Sequence, residues 1–482
     1  MARSWFLHYY FSRSGHLSDP FRRLIFIPTW LAFLTSLFII VYISSTSKLF
    51  MHHHHHDHLL LKSSIGSSRI SQQSAFDMPP KSVGVSAWTY IHEDRDPPVW
   101  NHTTVRQGIE IRQPVESHQS SDSNGNQVKD EVFHGKDIFL QDYKEMNRSF
   151  KIYVYPHRKD DPFANALLPV HSEPGGNYAS EAYFKKALMK SHFITKDPSE
   201  ADLFYMPFSI AALRHDKRVN VGGIPDFVKA YIYDISHAYP YWNRSGGADH
   251  FYVACHSIGS TATRKAEEVK LKAIQVVCSS SYFLTAYVSH KDASVPQIWP
   301  RHGDPPNLSA SNSCLRNKCR KKLAFFAGAM NSRVRKEVLK TWKDDSEIFV
   351  NSGRLKTPYS DALLGSKFCL HLKGFEVNTA RIGDAMFYGC VPVIIADYYD
   401  LPFTDILDWK SFSLVVPSLD IPLLKRILTG ISSDQYSALQ RNVIAARQHF
   451  KWHPFPVDYD AFHMVMYELW LRRGSIKVPL HG

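Results

Sequence analysis

The chain has 482 residues, of which 44% are hydrophobic and 13% aromatic, so its composition excludes a disordered protein. This length exceeds one typical core and predicts two domains with additional segments. The formal net charge of +12 would suit a nucleic acid, a nucleotide-sugar diphosphate or an acidic polysaccharide as partner.

An uncharged apolar segment near the N-terminus sets the predicted topology. Residues 24–43 carry no charge and are long enough to cross a bilayer. Residues 1–23 contain four arginines and one acid, so the positive-inside rule predicts a cytosolic tail, a transmembrane signal anchor and a lumenal body. A cleaved secretory signal is the alternative, but the charged region and the apolar span are both longer than such signals usually have. A lumenal body excludes nucleic acid as a partner.

Lumenal topology predicts N-glycosylation and oxidised cysteines. Four sequons are present, at Asn101, Asn147, Asn243 and Asn307. The six cysteines allow fifteen complete pairings. Cys314 and Cys319 are the closest pair in sequence and lie in a polar loop, so they are the first candidate for a disulfide. Cys369 and Cys390 are interpreted instead as buried small hydrophobic residues of two strands.

Residues 44–148 have little apolar periodicity and are rich in Ser, Gln, His, Asp and Pro. We interpret them as a lumenal stem of low order that holds the body away from the membrane. The five-histidine run at residues 52–56 is interpreted as part of this stem rather than as a metal site or an expression tag.

From residue 149 onwards, short apolar runs alternate with helical patterns. Residues 203–208 and 250–255 are typical of buried strands, and the pattern restarts near residue 323 after a basic loop. This alternation predicts parallel βαβ units and therefore an α/β protein. We expect two Rossmann-like, doubly wound domains at residues 149–315 and 316–482, the second ending in a helix that packs at the domain junction.

Residues 366–395 carry the most specific pattern in the chain. They predict a strand, a tight turn at Lys373 and Gly374, a helix and a second strand. A helix that begins beside such a turn can receive a phosphate group on its free backbone N–H groups. Glu376 and Asp384 are eight residues apart, so on one helix they would lie about 12 Å apart on roughly one face. Two such carboxylates can hold the hydroxyls of a ribose and a hexose on either side of a diphosphate.

The alternative is that Glu376 only complements the helix macrodipole and that Asp384 is an exposed helix residue. The spacing of the two acids, however, resembles the Glu-x7-Glu element of glycosyltransferases with two Rossmann-like domains. Residues 368–395 resemble the C-terminal signature of the exostosin-like glycosyltransferases, glycosyltransferase family 47, and above all of its plant branch. Further segments resemble this family and occur along the chain in the family's order, at residues 197–208, 247–259, 290–297, 323–342 and 400–416.

The resemblance implies a GT-B type fold and a Golgi type II membrane glycosyltransferase. Such an enzyme would transfer a sugar from a UDP-sugar, with inversion, to a cell-wall type polysaccharide, and the N-terminal domain would be the acceptor side. The resemblance also allows homo- or hetero-oligomers with other glycosyltransferases. Two alternatives remain open: a catalytically silent member that binds polysaccharide or scaffolds a synthase complex, and a transferase that modifies glycoproteins.

The resemblance implies a donor-binding role for several residues. Arg335 matches the family's arginine in its motif, where a guanidinium can bind a diphosphate; the alternative is an exposed helix charge. Arg381 is expected to contact a donor phosphate or to orient an acid. Lys373 and Gly374 form the turn before the helix, and Gly374 would let the backbone approach the ligand or simply be a turn glycine. Asp384 departs from the glutamate of many relatives, which weakens its assignment to the ribose.

Inverting transfer needs a base that removes the proton of the acceptor hydroxyl. The candidates are Asp249 and His256, and the alternative for His256 is a satisfied core histidine. Many relatives carry an aspartate where this chain has Ser257, and this difference supports the catalytically silent alternative. Asp458 and Asp460 form an Asp-x-Asp pattern that we interpret as a helix N-cap. No metal and no cofactor is therefore expected to be required, because helix dipoles and cationic side chains would stabilise the leaving diphosphate.

Overall fold

The computed structural model describes residues 132–474, except residues 284–286, 302, 304 and 307–319. All of them belong to one of the two compact units into which the chain divides, Val85–Gly482. The predicted tail, membrane anchor and most of the stem lie outside the described residues, as do Asn101, Asn307, Cys314 and Cys319. Within the described part of the chain, no helix is long and apolar enough to cross a membrane.

The first half of the described chain is built on a six-stranded parallel sheet in the order β2-β1-β3-β4-β5-β6. Its strands are β1 (Ile152–Val154), β2 (Ile194–Thr195), β3 (Leu203–Tyr205), β4 (His250–Ala254), β5 (Ile274–Val277) and β6 (Ala293–Ser294). Its helices are α1 (Lys136–Ser149), α2 (Ala164–Leu167), α3 (Ala179–Leu188), α4 (Ile210–His215), α5 (Asn220–Ala238), α6 (Tyr241–Ser245), α7 (Gly259–Ala262) and α8 (Glu267–Lys272). The side chains of β3, β4 and β5 are all buried, as expected when helices cover both faces of a parallel sheet.

The second half contains a five-stranded parallel sheet in the order β11-β10-β9-β7-β8. Its strands are β7 (Lys322–Gly328), β8 (Ile348–Ser352), β9 (Ser366–Leu372), β10 (Val391–Ile395) and β11 (Leu414–Val415). The helices are α9 (Arg333–Trp342), α10 (Tyr359–Leu364), α11 (Arg381–Phe387), α12 (Trp409–Phe412), α13 (Leu424–Thr429), α14 (Ser433–Ala446) and α15 (Ala461–Arg472), with 3-10 turns at Ser418–Leu423 and Arg447–Phe450. The predicted α/β fold with parallel sheets is confirmed.

Both sheets have the same winding order. The first strand of each sheet lies between the second and the third, so the chain reverses its winding direction between β1 and β3 and again between β7 and β9. Adjacent loops diverge at such a reversal, and ligands of open α/β sheets bind there, outside the carboxyl ends of the strands. The topology alone therefore directs attention to the loops that follow β7 and β9.

The body begins earlier than the sequence indicates. Helix α1 covers residues assigned to the stem, and it buries Phe139, Tyr143 and Met146. It packs against α15, and the Tyr143 hydroxyl donates to the Asp458 carboxylate at 3.1 Å. Residues 136–148 are therefore part of the folded body, because their apolar face is covered by the C-terminal helix.

Two disulfides join neighbouring strands. Cys255 and Cys278 connect the carboxyl ends of β4 and β5, and Cys369 and Cys390 connect β9 to the start of β10. The interpretation of Cys369 and Cys390 as unpaired buried residues is wrong, because parallel pairing of β9 and β10 brings the two side chains together. Each sheet thus has one covalent link between adjacent strands.

Candidate functional site

A cleft of about 360 Å³ lies where the carboxyl-end loops of both sheets meet. Its walls come from the loops after β6, β7 and β9, from the loop before α3, and from the starts of α9, α10 and α11. The residues that line it are Asn177, Gln297, Trp299, Arg301, Asn331, Arg335, Tyr359, Asn378, Thr379, Ala380, Arg381 and Asp384. The loops at the winding reversal of the second sheet, after β7 and β9, line this cleft, as the topology predicts.

Arg335 is held at the reversal by backbone oxygens. Ser332 caps α9 by accepting a hydrogen bond from the Arg335 N–H, which fixes this residue in the first turn. The Arg335 guanidinium donates to the Leu372 carbonyl at 3.1 and 3.2 Å and to the Ala329 carbonyl at 3.0 Å. A third partner is the Asn331 side-chain oxygen at 2.9 Å. The guanidinium therefore spans the ends of β7 and β9, and it is not the exposed helix charge considered as the alternative.

Arg381 connects the same two strands in the opposite direction, from the helix after β9 to β7. It is the first residue of α11, which follows β9, and it donates to the Ala327 carbonyl of β7 at 2.9 Å. The guanidinium carbons of Arg335 and Arg381 lie 5.5 and 5.0 Å from the centre of the Phe326 ring. Both cations therefore lie over one aromatic ring of β7.

Two glycines make room for these guanidiniums. A Cβ on Gly374 would lie 2.8 Å from Nη2 of Arg335, and a Cβ on Gly328 would overlap Nη2 of Arg381. Neither glycine has a positive φ, so the requirement is for space rather than for an unusual backbone conformation. Gly374 is thus more than a turn glycine, since its missing side chain admits Arg335 to the cleft.

The cleft carries an excess of positive charge. Three arginines and a single carboxylate, that of Asp384, line it. Asp384 accepts hydrogen bonds from Nε and Nη2 of Arg301 at 3.0 and 2.8 Å, and among the described residues no carboxylate forms an ion pair with Arg335 or Arg381. Burial lowers the pKa of Arg335 to about 10, and the nearby Arg381 acts in the same direction, so Arg335 stays charged at neutral pH. Two cations without a carboxylate partner are suited to an anionic ligand.

The structure corrects the predicted arrangement of the two acids. Helix α11 begins at Arg381, so Glu376 lies in the preceding loop and the two carboxylates do not share a helix face. The loop does not join the helix, because Val377 is buried and Asn378 is bonded to the first half of the chain, through Ser279 at 2.8 Å and Gln297 at 2.6 Å.

Glu376 and Lys373 are not among the residues that line the cleft. Burial raises the pKa of Glu376, while the charge of Lys373 opposes this shift. The Lys373 carbonyl accepts the Ser332 hydroxyl at 2.6 Å, which ties this turn to the start of α9. Of the predicted donor-binding residues, the structure thus brings together Arg335, Arg381, Asp384 and Gly374.

Asp249 does not reach the cleft. It precedes β4 and therefore lies at the amino edge of the first sheet, opposite the carboxyl ends. Its carboxylate accepts hydrogen bonds from Arg244 at 2.7 Å, from the Ser245 hydroxyl and from the His250 ring at 2.7 Å. These partners hold the pKa of Asp249 below its usual value against the effect of burial, so the residue is a buried structural anion.

His256 lies at the carboxyl edge, two residues beyond the end of β4. Its ring packs on Tyr178 with the centroids 4.2 Å apart, next to the cleft residue Asn177. Nδ1 accepts the Ile258 N–H at 3.1 Å, so the neutral ring carries its proton on Nε2, which is buried without a partner among the described residues. Burial lowers the pKa of His256 to about 4, and Arg214 and His215 add to the effect. This tautomer suits a hydrogen-bond donor better than a base.

Sequence reasoning missed the part of the cleft that comes from the first half. Gln297 lies in a segment that resembles the family, but Trp299 and Arg301 follow that segment and received no role. The signal available was their position, because polar and aromatic residues directly after a buried parallel strand lie at the edge where ligands bind. Asp460, in contrast, caps α15 by accepting the His463 N–H, as predicted. Within the described residues no cluster of three or more His, Cys, Asp or Glu side chains is arranged to hold a metal ion.

Comparison with known protein families decides the identity of the chain. The model of the exostosin GT47 domain matches residues 146–431, which is more than half of the chain. The chain belongs to the exostosin GT47 family. The match covers both sheets and every residue of the cleft, so the arginines described above belong to the domain of this glycosyltransferase family.

Curated relatives of this exostosin-family chain come from plants. A "Probable glycosyltransferase" of Arabidopsis thaliana is 37% identical over 71% of this chain and 65% of its own length. The chain thus spans slightly less than two thirds of that relative. Another protein of the same description and organism is 34% identical over 76% of this chain and 79% of its own length. A "Probable glucuronoxylan glucuronosyltransferase" of the same plant is 28% identical over 61% of this chain and 66% of its length.

The solved structure of TarM aligns with 50% of this chain and 57% of its own chain at 10% identity, with a TM-score of 0.26. A similarity this weak supports no conclusion about fold or ligand. The fold description therefore rests on the two parallel sheets themselves.

Proposed function

We propose that this exostosin-family chain transfers a sugar from a UDP-sugar to a polysaccharide of the plant cell wall. The observation that carries the donor assignment is the pair of guanidiniums at the winding reversal of the second sheet, that of the buried Arg335 and that of the half-buried Arg381. Neither has a carboxylate partner among the described residues, and a nucleoside diphosphate would supply the missing negative charge. The cell-wall acceptor is supported by relatives that are named for glucuronoxylan and for xylosyl transfer.

The chemistry follows from where charge develops. The acceptor hydroxyl oxygen attacks the anomeric carbon, the bond from that carbon to the diphosphate breaks, and its electron pair moves onto the departing phosphate oxygen. Arg335 and Arg381 would stabilise the negative charge that develops on that oxygen. Their hydrogen bonds to backbone carbonyls hold both guanidiniums in place before the reaction. Cations that are already oriented and partly desolvated need no reorganisation when the bond breaks. We therefore propose that neither a metal nor another cofactor is required.

Attack from the face opposite the diphosphate would invert the anomeric centre. We propose that the proton of the acceptor hydroxyl passes to solvent water in the cleft, because neither predicted base presents a free acceptor atom there. Of the two predicted bases, only His256 lies at the edge of the sheet that carries the cleft, and its Nδ1 is already occupied by a backbone N–H. We propose that His256 acts as a positioning residue through Tyr178, on which its ring packs beside the cleft residue Asn177.

The proposed setting is the lumen of the Golgi apparatus. The charge distribution around residues 24–43 supports a single-pass type II protein whose catalytic body is lumenal, attached by a stem that ends before α1. Homo- or hetero-oligomers with other glycosyltransferases are part of this proposal and follow from the family alone.

Binding of UDP tests the donor site. We expect Arg335→Gln and Arg381→Gln each to weaken UDP binding about ten- to a hundredfold, because hydrogen bonds to charged groups contribute about 1.5–3 kcal/mol. The matched control is Arg333→Gln, which removes the same charge from the exposed first residue of the same helix. Calorimetry with the full chain measures all three. Equal losses in Arg333→Gln and Arg335→Gln would show that only the overall charge matters and would refute the site.

Turnover separates the alternatives. UDP release from a panel of UDP-sugars, with and without polysaccharide acceptors, identifies an active transferase. Binding without turnover would favour the catalytically silent alternative to which Ser257 points. Turnover on glycoprotein acceptors alone would favour the glycoprotein-modifying alternative.

A further inference from the structure

The two walls of the cleft differ in chemistry. The wall from the second sheet carries Arg335 and Arg381, together with the ring of Tyr359. The wall from the first half carries two side-chain amides, Asn177 and Gln297, and the indole of Trp299. Only Arg301 brings a charge from the first half, and Asp384 neutralises it. The cleft is therefore cationic on one side and uncharged on the other.

Trp299 is an exposed aromatic residue on a fixed segment. The residue is 47% exposed, although a tryptophan normally stabilises a fold by being buried. The Pro296 carbonyl before it accepts the Ser180 hydroxyl at 2.7 Å, and Gln297 donates to the Asn177 carbonyl at 2.9 Å. Arg301 after it is anchored on Asp384. The indole is thus presented to the cleft between anchored neighbours.

Packing against α11 reinforces this placement. A Cβ on Gly383 would lie 3.5 Å from Cγ2 of Ile298, so this helix offers a residue without a side chain where the segment crosses it. Gln297 also accepts the Asn378 side-chain amide at 2.6 Å. The segment from Pro296 to Arg301 is therefore held by both halves of the chain, and ordering Trp299 upon ligand binding would cost little.

We propose that Trp299 stacks on the ring of the acceptor sugar that receives the transferred glycosyl group, and that this sugar is neutral. This inference rests on the proposed function. An indole covers the apolar C–H face of a pyranose ring, while amides exchange hydrogen bonds with its hydroxyls. The side-chain amide of Asn177 makes no hydrogen bond with a described residue, so both of its polar atoms are available for a hydroxyl.

Charge explains why a uronic acid is disfavoured at this position. The acceptor must approach the diphosphate, and the cations that would hold a carboxylate are used by that diphosphate. The remaining cation of the cleft, Arg301, is paired with Asp384. A second carboxylate on the neutral wall would face amides and an indole, and it would lose hydration without gaining a cation. The nucleobase is the other flat group in the reaction, but Tyr359 offers it an aromatic ring on the wall that binds the phosphates.

Binding of oligosaccharides to the full chain saturated with UDP tests the inference directly, because the diphosphate then occupies Arg335 and Arg381. The probes are a neutral xylo-oligosaccharide and the same oligosaccharide ended by a glucuronate, and calorimetry gives both affinities together with that for UDP. We expect Trp299→Ala to weaken the neutral probe about tenfold or more and to leave UDP unchanged. Trp299→Phe, which keeps a flat ring, should lose less than Trp299→Ala. Tyr233→Ala removes another exposed aromatic ring, on α5 and outside the cleft, and is the control.

Three results would overturn the inference. One is a loss of UDP affinity in Trp299→Ala with unchanged oligosaccharide binding, which would assign the indole to the nucleobase. Another is tighter binding of the glucuronate-ended probe than of the neutral one. The third is unchanged binding of every probe in a folded variant. A lack of turnover by the natural chain would contradict the proposed function, whereas these binding results would still decide the role of Trp299.

Discussion

Substitution of Gly374 by alanine separates a donor-site glycine from a turn glycine. The added methyl group would lie 3.2 Å from Cζ of Arg335 and 2.8 Å from its Nη2, and the second distance is shorter than a Cβ contact in folded proteins. The backbone of Gly374 does not have a positive φ, so alanine can adopt it without strain. The guanidinium must therefore move, although four hydrogen bonds hold it.

The expected cost follows from those bonds. Four of the five N–H donors of the guanidinium are used within the protein, and its displacement would shift the remaining donor away from the diphosphate. A hydrogen bond to a charged group contributes about 1.5–3 kcal/mol, so UDP affinity should fall about ten- to a hundredfold. Calorimetric titration with UDP measures this, and thermal unfolding checks that the fold persists.

Two controls sharpen the test. Gly222→Ala places the same methyl group at a helical glycine with nothing within 4 Å, so it should leave UDP binding unchanged. In the double variant Gly374→Ala with Arg335→Gln, the two effects should not add, because the guanidinium that alanine displaces is already absent. A folded Gly374→Ala variant with UDP affinity within about twofold of the natural chain would refute the role of Arg335 in this site.

Three further predictions concern stability and modification. A chain that starts at residue 132 should be soluble and bind UDP. A chain that starts at residue 149 lacks α1 and exposes the face of α15 that α1 covers, so it should aggregate or melt at a lower temperature. Equal melting temperatures of the two chains would contradict this. Asn243 is exposed, whereas the side-chain oxygen of Asn147 is buried, so Asn243→Gln should remove the larger part of any endoglycosidase-sensitive mass from the described region; mass spectrometry that found glycan only on Asn147 would count against this. Burial lowers the pKa of His371 to about 3, and the nearby charges of Arg381 and Arg335 add to the effect. As the pH falls, His371 is therefore protonated in the unfolded chain at a higher pH than in the folded chain, and the free energy of unfolding should fall from about pH 6.5 towards pH 3. Thermal unfolding of His371→Gln should show a weaker dependence on pH over this range.

The fold was predictable because buried parallel strands have an unambiguous pattern. Strands such as β4 and β10 are covered on both faces and therefore read as continuous apolar runs, in contrast to the alternation of half-exposed strands. The alternation of these runs with helices then permits few arrangements other than parallel sheets. Arg335 was also predictable, because a charged residue in the first turn after a buried strand lies at the ligand-binding edge.

The errors arose where distant contacts override local preference. The segment after β9 stays outside the helix because Asn378 is bonded to Ser279 and Gln297, which are 99 and 81 residues away in sequence. Helix α1 appeared as part of a polar stem because the helix that covers its apolar face is more than 300 residues later. A local pattern contains no information about such partners, so a weakly periodic segment is easily assigned to a loop or a linker.

The use of the two sheets in the cleft is unequal, and this inequality is consistent with a two-substrate enzyme. Both sheets have a winding reversal, but in the described structure only that of the second sheet, between β7 and β9, lines the cleft. The first half contributes instead the loop after its edge strand β6 and the loop before α3. A winding reversal concentrates cations and backbone donors on one ligand, as a diphosphate requires. An edge loop gives a flatter and neutral wall that can follow an extended polymer, because no neighbouring strand encloses it on the outer side.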